Sequence, residues 1–261
     1  MLDTATLTRL AAELSQAQHT RTPVPRITAR HPEATVHDSY AIQRLWRDEQ
    51  VNAGRTLVGH KIGLTSRAMQ QATGITEPDY GVMFDDTVYA SGATLSFDAF
   101  TSVRIEVELA FVLRRALTGP DCTLEEAIDA IDHVVPALEV LNAHVELEGR
   151  TIVDTIADNA AYGAMVLGDT RRHLDEIDVR WVPGVLERNG VVEETGVAAG
   201  VLGHPVRGVA WLANKLHQHG ESLQAGHIIL AGSFTRPVWI ERGDTVVCDY
   251  RELGTITCQF T

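Results

Sequence analysis

Residues 101–113, Thr-Ser-Val-Arg-Ile-Glu-Val-Glu-Leu-Ala-Phe-Val-Leu, decide the fold of this chain. Val103, Ile105, Val107, Leu109, Phe111 and Leu113 occupy alternate positions, and alternation sustained over that many residues predicts a strand with one buried face. Glu106 and Glu108 then project together from the opposite face, about 7 Å apart along the strand. Two like charges at that spacing raise each other's pKa unless a cation lies between them. A set of oxygen donors suits a hard ion such as magnesium. A solvated polar face is the alternative reading of an isolated Glu-x-Glu. A third carboxylate weighs against it: Val134 to Leu141 is an apolar run interrupted only by Pro136 and Glu139. A lone acid in such a run needs a partner, because an unpaired buried charge is costly.

The length of 261 residues allows one large domain, or a small one attached to a larger, with an ample core. Hydrophobic residues at 44% and charged residues at 22% place the chain among ordinary globular proteins. No apolar run is long enough to cross a bilayer, and Met1-Leu2-Asp3-Thr4 lacks the basic and apolar regions of a signal peptide, so a cytoplasmic location is expected. Cys122, Cys248 and Cys258 are odd in number and lack zinc-type spacing, which predicts reduced structural thiols. A formal net charge of -13 opposes binding to nucleic acid or to an anionic membrane. An anionic substrate would therefore need local positive charge from a metal and a few basic side chains.

Around the central stretch the chain is expected to divide into a helical region over residues 1–55 and a mixed-β domain over residues 56–261. Leu7, Leu10, Ala11 and Leu14 recur at helical spacing within residues 3–18, with Asp3 or Thr4 as cap, and Val36 to Val51 predicts a second helix ending at Gly54. Between them Thr20 to Pro32 carries three prolines and reads as an extended link. From Thr56 the pattern becomes short β-like runs. Leu57 to Thr65 is glycine-punctuated and holds Lys61, either snorkelling from an edge or serving a site. Ile75 to Met83 contains a Pro-Asp turn that puts Asp79 in a loop. Thr123-Leu-Glu-Glu126 is a capping box opening a helix to about His133, and Gly149 to Asn159 reads as a polar loop. Ala160 to Leu167 reads as a buried strand, and Asn189-Gly190 joins two strands as a hairpin over Val179–Leu186 and Val191–Val201. Val209 to Leu216 is helical, and the last strands start near Ile228, Thr245 and Thr255. Many short strands with few helices indicate an antiparallel or mixed β domain, α+β in class, rather than a doubly wound α/β sheet.

Five strings carry a resemblance: Gly59-His-Lys-Ile-Gly-Leu-Thr-Ser66, Glu77-Pro-Asp-Tyr-Gly81, Arg104-Ile-Glu-Val-Glu-Leu-Ala-Phe111, Glu193-Glu-Thr-Gly-Val-Ala-Ala-Gly-Val-Leu202 and Gly232-Ser-Phe-Thr-Arg-Pro-Val238. Through them the chain resembles the magnesium-dependent hydratase and decarboxylase branch of the fumarylacetoacetate hydrolase-like superfamily, over nearly its whole length. The resemblance implies a mixed β-roll core, homo-oligomeric assembly, and a divalent metal, usually Mg2+ with Mn2+ as substitute, held by Glu106, Glu108 and Glu139. It also implies a small-molecule 2-oxo acid substrate, 2-oxo-hept-4-ene-1,7-dioate or a related acid, hydrated to a 4-hydroxy-2-oxo acid by ketonisation and conjugate addition of water. Decarboxylation of a 2-oxo-enedioate at the same metal is the nearest alternative, and a non-catalytic partner subunit a more distant one.

Lys61 and Asp79 are the candidate acid and base for proton transfer. Thr65, Ser66, Arg236 and His144 are the candidate substrate contacts, Arg236 for a far carboxylate. The chain departs from the branch at Asn142-Ala143-His144, where Asp-Ala-Arg or Asp-Ser-Arg is usual. A mostly neutral imidazole in place of a guanidinium implies altered selectivity at the far end of the substrate. Tyr162 likewise stands where a small or amide residue is more familiar.

Overall fold

A computed structural model describes residues 1–66, 70 and 77–261. The chain starts with α1 (Thr4–Thr20), capped by the Asp3 carboxylate, which accepts from Thr6 N. A four-residue α2 (Ile27–Arg30) interrupts the proline-rich link that the sequence predicts to be extended throughout. The longer α3 (Val36–Asn52) opens on a reciprocal capping box between Thr35 and Asp38. These helices have no separate core. Leu10, Leu14, Ile27, Ile42 and Trp46 pack with Val82, Phe84, Val145 and Ala157 from the rest of the chain, and the buried Gln43 amide donates to the carbonyls of Tyr80 and Ile156.

From Leu57 onward strands dominate. The first are β1 (Leu57–Gly63), β2 (Asp79–Phe84), β3 (Val88–Ala90), β4 (Ala93–Leu95) and β5 (Arg104–Leu113). After α4 (Leu124–Ala130) come β6 (Ile131–Leu141), α5 (Ile152–Ala157) and β7 (Tyr162–Leu167). The Asn189-Gly190 turn joins β8 (Pro183–Arg188) to β9 (Val191–Val197), followed by α6 (Val206–His217). The chain ends in β10 (Ile228–Leu230), β11 (Val238–Trp239), β12 (Thr245–Asp249) and β13 (Thr255–Phe260). No helix among the described residues is long and apolar enough to cross a membrane.

The strands form two mixed sheets. One runs β2-β1-β10-β5-β6-β7-β3, with β11 beside β5, and the other β4-β13-β12-β8-β9. Parallel pairs (β1 with β10, β3 with β7, β4 with β13) sit among antiparallel ones, and the fold is α+β. Strand β5 lies at the centre of the first sheet and its two faces do different work. Ile105, Val107, Leu109 and Phe111 pack into the main core with Leu186, Val246, Ile256 and Phe260 of the second sheet. On the other face Ala110 joins Met83, Val135, Ala137, Met165 and Leu230 in a compact apolar floor inside the curl of the first sheet. The Tyr250 hydroxyl, donating to the Ala137 carbonyl, ties the second sheet to β6.

Besides α2, and α4 ending at Ala130 rather than near His133, three elements differ from the sequence expectation. Asp79 starts β2 rather than sitting in a loop, because it pairs in register with Gly63 of β1; Ile75 and Thr76, which open that stretch, lie outside the described residues. The strand predicted from Val179 starts only at Pro183, after a 3-10 turn over Val179–Trp181. Within the expected loop 149–159 lies α5, opened by Thr151 and Asp154. The buried Asp154 carboxylate accepts from Thr28 N at 2.9 Å and its hydroxyl at 2.7 Å, and from Thr151 N at 3.0 Å and its hydroxyl at 2.9 Å. Burial alone would raise its pKa, yet these bonds hold it below the usual carboxylate value.

Asp154→Ala would leave two backbone N–H groups without acceptors and loosen α2 from α5. A loss of about 1–3 kcal/mol in urea unfolding is expected. A loss under about 0.5 kcal/mol would show that the carboxylate is not the pin between these helices.

Candidate active site

Glu106 on β5 stands directly opposite Glu139 on β6, and Glu108 follows two residues along on the same face as Glu106. One carboxylate oxygen from each lies within 4.8 Å of the others. Glu108 and Glu139 are buried and Glu106 is half-buried, so the solvated-face alternative does not hold for this strand. Glu108 Oε2 accepts the Gly232 amide at 2.9 Å. Glu108 Oε1 and Glu139 Oε2 are buried without a hydrogen-bond donor among the described residues, and Glu139 Oε1 has only the Lys61 ammonium as an ionic neighbour. Burial, and then the Glu139 charge, push Glu106 up to about 7, and burial likewise raises Glu108 well above its ordinary value. Orphaned carboxylate oxygens converging in an all-oxygen set fit a hard divalent cation, which would reverse this disfavouring of the charged forms.

Lys61 reaches the cluster from β1. In the sheet β10 and β5 lie between β1 and β6; a flat sheet would hold β1 and β6 roughly 14 Å apart, so the curl of the sheet is what brings them together. Lys61 Nζ lies 3.1 Å from Glu139 Oε1 and donates to the Ala160 carbonyl at 2.9 Å. Burial disfavours its charge, but Glu139, Asp79, Glu106 and Glu108 outweigh burial and raise its pKa. The carbonyl it uses belongs to Asn159-Ala160-Ala161, whose φ values of 49°, 53° and 57° are all left-handed. Three such residues in succession are costly for L-amino acids and need fixing from outside. The Asn159 amide fixes them: its Oδ1 accepts from Val82 N at 2.8 Å and its Nδ2 donates to the Val82 carbonyl at 2.9 Å.

Asp79 is buried beside this group, its Oδ1 without a donor among the described residues, and burial raises its pKa against the opposing charge of Lys61. Lys61 and Asp79 act on one another through charge; the direct ion pair of Lys61 is with Glu139. The approach of Asp79 to β1 depends on Gly63, where a Cβ would lie 2.1 Å from Asp79 Oδ1. Gly232 is similarly constrained: with φ at +107°, its Cβ would lie 2.1 Å from Thr65 Oγ1. Thr65 is therefore packed against the residue that binds Glu108. Ser66 is half-buried at the end of the first described segment, and its carbonyl accepts from Gln70 N.

The structure places two other nominated residues away from the carboxylates. Arg236 is a surface residue, 81% exposed, with Nε and Nη2 on Glu194 Oε1 at 2.8 and 2.7 Å. His144 is buried with both ring nitrogens engaged: Nδ1 contacts Asp158 Oδ1 at 2.8 Å and Nε2 contacts Asn142 Nδ2 at 3.1 Å. Asn142 Oδ1 already accepts from Thr101 N and Ser102 N, so its Nδ2 is the donor to Nε2, and the His144 proton resides on Nδ1 facing Asp158. The His144 imidazole is a bracing element in a closed network, with no nitrogen left for an anion.

Arg104, Asn159 and Arg150 are not among the candidate site residues that the sequence suggests. Arg104 shares the parity of Glu106 and Glu108, a signal present in the central stretch itself. Its Nε and Nη2 are buried without hydrogen-bond partners among the described residues, as is Arg150 Nη1.

Residues 50–261 match the Fumarylacetoacetate (FAA) hydrolase C-terminal family, and the chain belongs to that family. Over 266 residues, covering 100% of both sequences, it is 50% identical to a 2-oxo-hept-4-ene-1,7-dioate hydratase of Escherichia coli. It is 36% identical over 250 residues to a 2-keto-4-pentenoate hydratase of Paraburkholderia xenovorans, covering 96% of this chain and 93% of the relative. Among solved structures, 4-oxalocrotonate decarboxylase from Pseudomonas putida G7, complexed with magnesium and adipate, superposes with a TM-score of 0.97 at 33% identity, covering 100% of this chain and 99% of that one.

A cation bound by the three carboxylates should stabilise the fold by about 2.7 kcal/mol at a hundredfold excess over its dissociation constant. Thermal melting with and without Mg2+ should show that shift in the parent protein and lose it in Glu108→Gln. The amide keeps an acceptor for Gly232 N while removing a charge. A parent-sized magnesium shift in Glu108→Gln would exclude Glu108 as a ligand.

Proposed function

We propose that this chain is a divalent-metal-dependent hydratase. It adds water to a 2-oxo-enoate, presented as its 2-hydroxy-dienoate tautomer, to give a 4-hydroxy-2-oxo acid, with 2-oxo-hept-4-ene-1,7-dioate or a close analogue as substrate. The observation that carries this reading is the meeting of Lys61 with a buried Glu106-Glu108-Glu139 cluster in a chain half identical, end to end, to a hydratase of that substrate. Glu106, Glu108 and Glu139 would hold magnesium or manganese, and a cation there supplies a Lewis acid for the 2-oxo acid end of the substrate.

The chain's own side chains supply positioned charge and proton transfer. Lys61, fixed between Glu139 and the Ala160 carbonyl, holds positive charge beside the negative charge that develops as the 2-hydroxyl loses its proton. In ketonisation that proton leaves, one is delivered to C5, and a C3–C4 double bond conjugated to the 2-oxo group remains. In hydration the oxygen of water bonds to C4 and a proton is delivered to C3. Asp79 Oδ1, buried and without a donor, is the group we assign to these proton transfers, and its raised pKa brings it closer to neutrality than a solvated aspartate. The apolar floor of Met83, Ala110, Val135, Ala137, Met165 and Leu230 offers no polar side chain to hold further water beside the glutamates.

Decarboxylation is the second reading, favoured by the near-complete superposition on 4-oxalocrotonate decarboxylase. A panel of 2-hydroxy-dienoates and 2-oxo-enedioates, incubated with protein and magnesium and followed by loss of the conjugated ultraviolet band and by product mass, separates the two. Gain of one water supports the hydratase, and loss of carbon dioxide replaces it with the decarboxylase.

Within the hydratase reading, Asp79→Asn and Lys61→Ala should each lower kcat by about 10²- to 10⁴-fold. Ketonisation and hydration assayed separately should show which step each residue serves. A tenfold or smaller loss for both on both steps would remove them from proton transfer.

A further inference from the structure

The cluster that holds the reacting end of the substrate leaves unexplained how a protein of net charge -13 would accept a dianion. We infer that Arg104 and Arg150 form the anion subsite that takes the far carboxylate of a dioate substrate. The inference rests on the hydratase reading for the identity of the substrate.

Arg104 lies on β5 two residues before Glu106, on the same face and about 7 Å along the strand, so it extends the line of the metal-ligand candidates toward the strand end. Its register partner is Trp239 of β11. The guanidinium carbon sits 5.2 Å from the centroid of that indole. Stacking occupies the flat face of the guanidinium and leaves its in-plane N–H donors free. Nε and Nη2 of Arg104 are buried and have no hydrogen-bond partner among the described residues. Arg150, on the segment between β6 and α5, shares the defect at Nη1, and its charge acts on both Arg104 and Asp79.

Two guanidiniums near enough to repel each other, each with buried unused donors, are what a planar two-oxygen anion satisfies. The carboxylates nearest Arg104 along the strand are those assigned to the cation, and Asp158 is engaged with His144 and the amides of His144 and Val145. The other nominated arginine, Arg236, lies on the surface with Glu194.

The test uses two saturated 2-oxo acids that cannot be hydrated and differ only at the far end, 2-oxoheptanedioate and 2-oxoheptanoate. Calorimetric titration in the presence of Mg2+ compares the parent protein with Arg104→Met, Arg150→Met and Arg104→Lys. The parent should prefer the dioate. Each Met variant should lose tenfold or more in dioate affinity while binding the mono-acid within about threefold of the parent, as expected for loss of a charge-assisted pair. Arg104→Lys keeps the charge but not the fork, and should fall between parent and Met. It carries the test if melting shows Arg104→Met to be unfolded.

Equal losses on both ligands would place the arginines at the chelating end or in the scaffold. Unchanged dioate affinity, or a parent that does not discriminate, would likewise overturn the subsite. Because neither probe is turned over, these outcomes are independent of catalysis. A parent enzyme that hydrates neither dioate nor mono-acid, yet keeps an arginine-dependent preference for the dioate probe, would refute the hydratase reading and leave the subsite standing.

Discussion

The constraint on which this structure turns is the confinement of three glutamates in the curl of one sheet, with carboxylate oxygens within 4.8 Å of one another. Unopposed, such a group is unstable in its charged form, because burial and mutual repulsion both favour protonation. The fold meets the problem in part from within. Lys61 sits against Glu139, and the Gly232 amide supplies a dipole to Glu108. What remains unsatisfied is the same set of oxygens that a divalent cation would use, so the cost to folding and the capacity for chemistry come from one arrangement. Buried charge carries a similar logic elsewhere: Asp154 has every oxygen bonded and serves the scaffold, whereas Asp79 has one oxygen without a donor among the described residues beside the site.

Positioning that arrangement requires both faces of β5. Ile105, Val107, Leu109 and Phe111 are held by the second sheet, which makes the strand rigid and leaves the even-numbered face to carry polar groups. The two faces are therefore coupled by the pleat. A shift of one residue in the pairing of β5 with β6 would put the glutamates into the apolar core and the apolar set into the site, and the cost of that exchange fixes the register of Glu106 opposite Glu139.

Much of this was legible in the sequence, for reasons that differ by element. The alternation of residues 103–113 has a period that only a strand satisfies, so β5 and the common direction of Glu106 and Glu108 follow directly. The hairpin at Asn189-Gly190 was equally legible from its turn chemistry. The α5 helix was missed although Thr151 and Asp154 have capping spacing, because its polar flanks outweighed a six-residue element. Arg236 stands in a string that resembles the family and pairs with Glu194 at the surface, while Arg104, inside the central stretch, shares the parity of the glutamates. Asn159 and Ala160 could not be found by pattern at all. The contact of the Ala160 carbonyl with Lys61 spans 99 positions in the chain and exists only after the sheet has curled.

The contact between Lys61 and the Ala160 carbonyl has a bearing on how such a protein can diverge. The acceptor belongs to the main chain, so no exchange of the side chain at position 160 deletes it; only a change in the path of the backbone does. That path is set by the Asn159 amide, which is clamped on Val82 and, among the described residues, makes no hydrogen bond to the glutamates or Lys61. Drift in the lineage can therefore change the side chain at position 160 while the ammonium stays anchored, and loss of a single amide one residue from the anchor would release it.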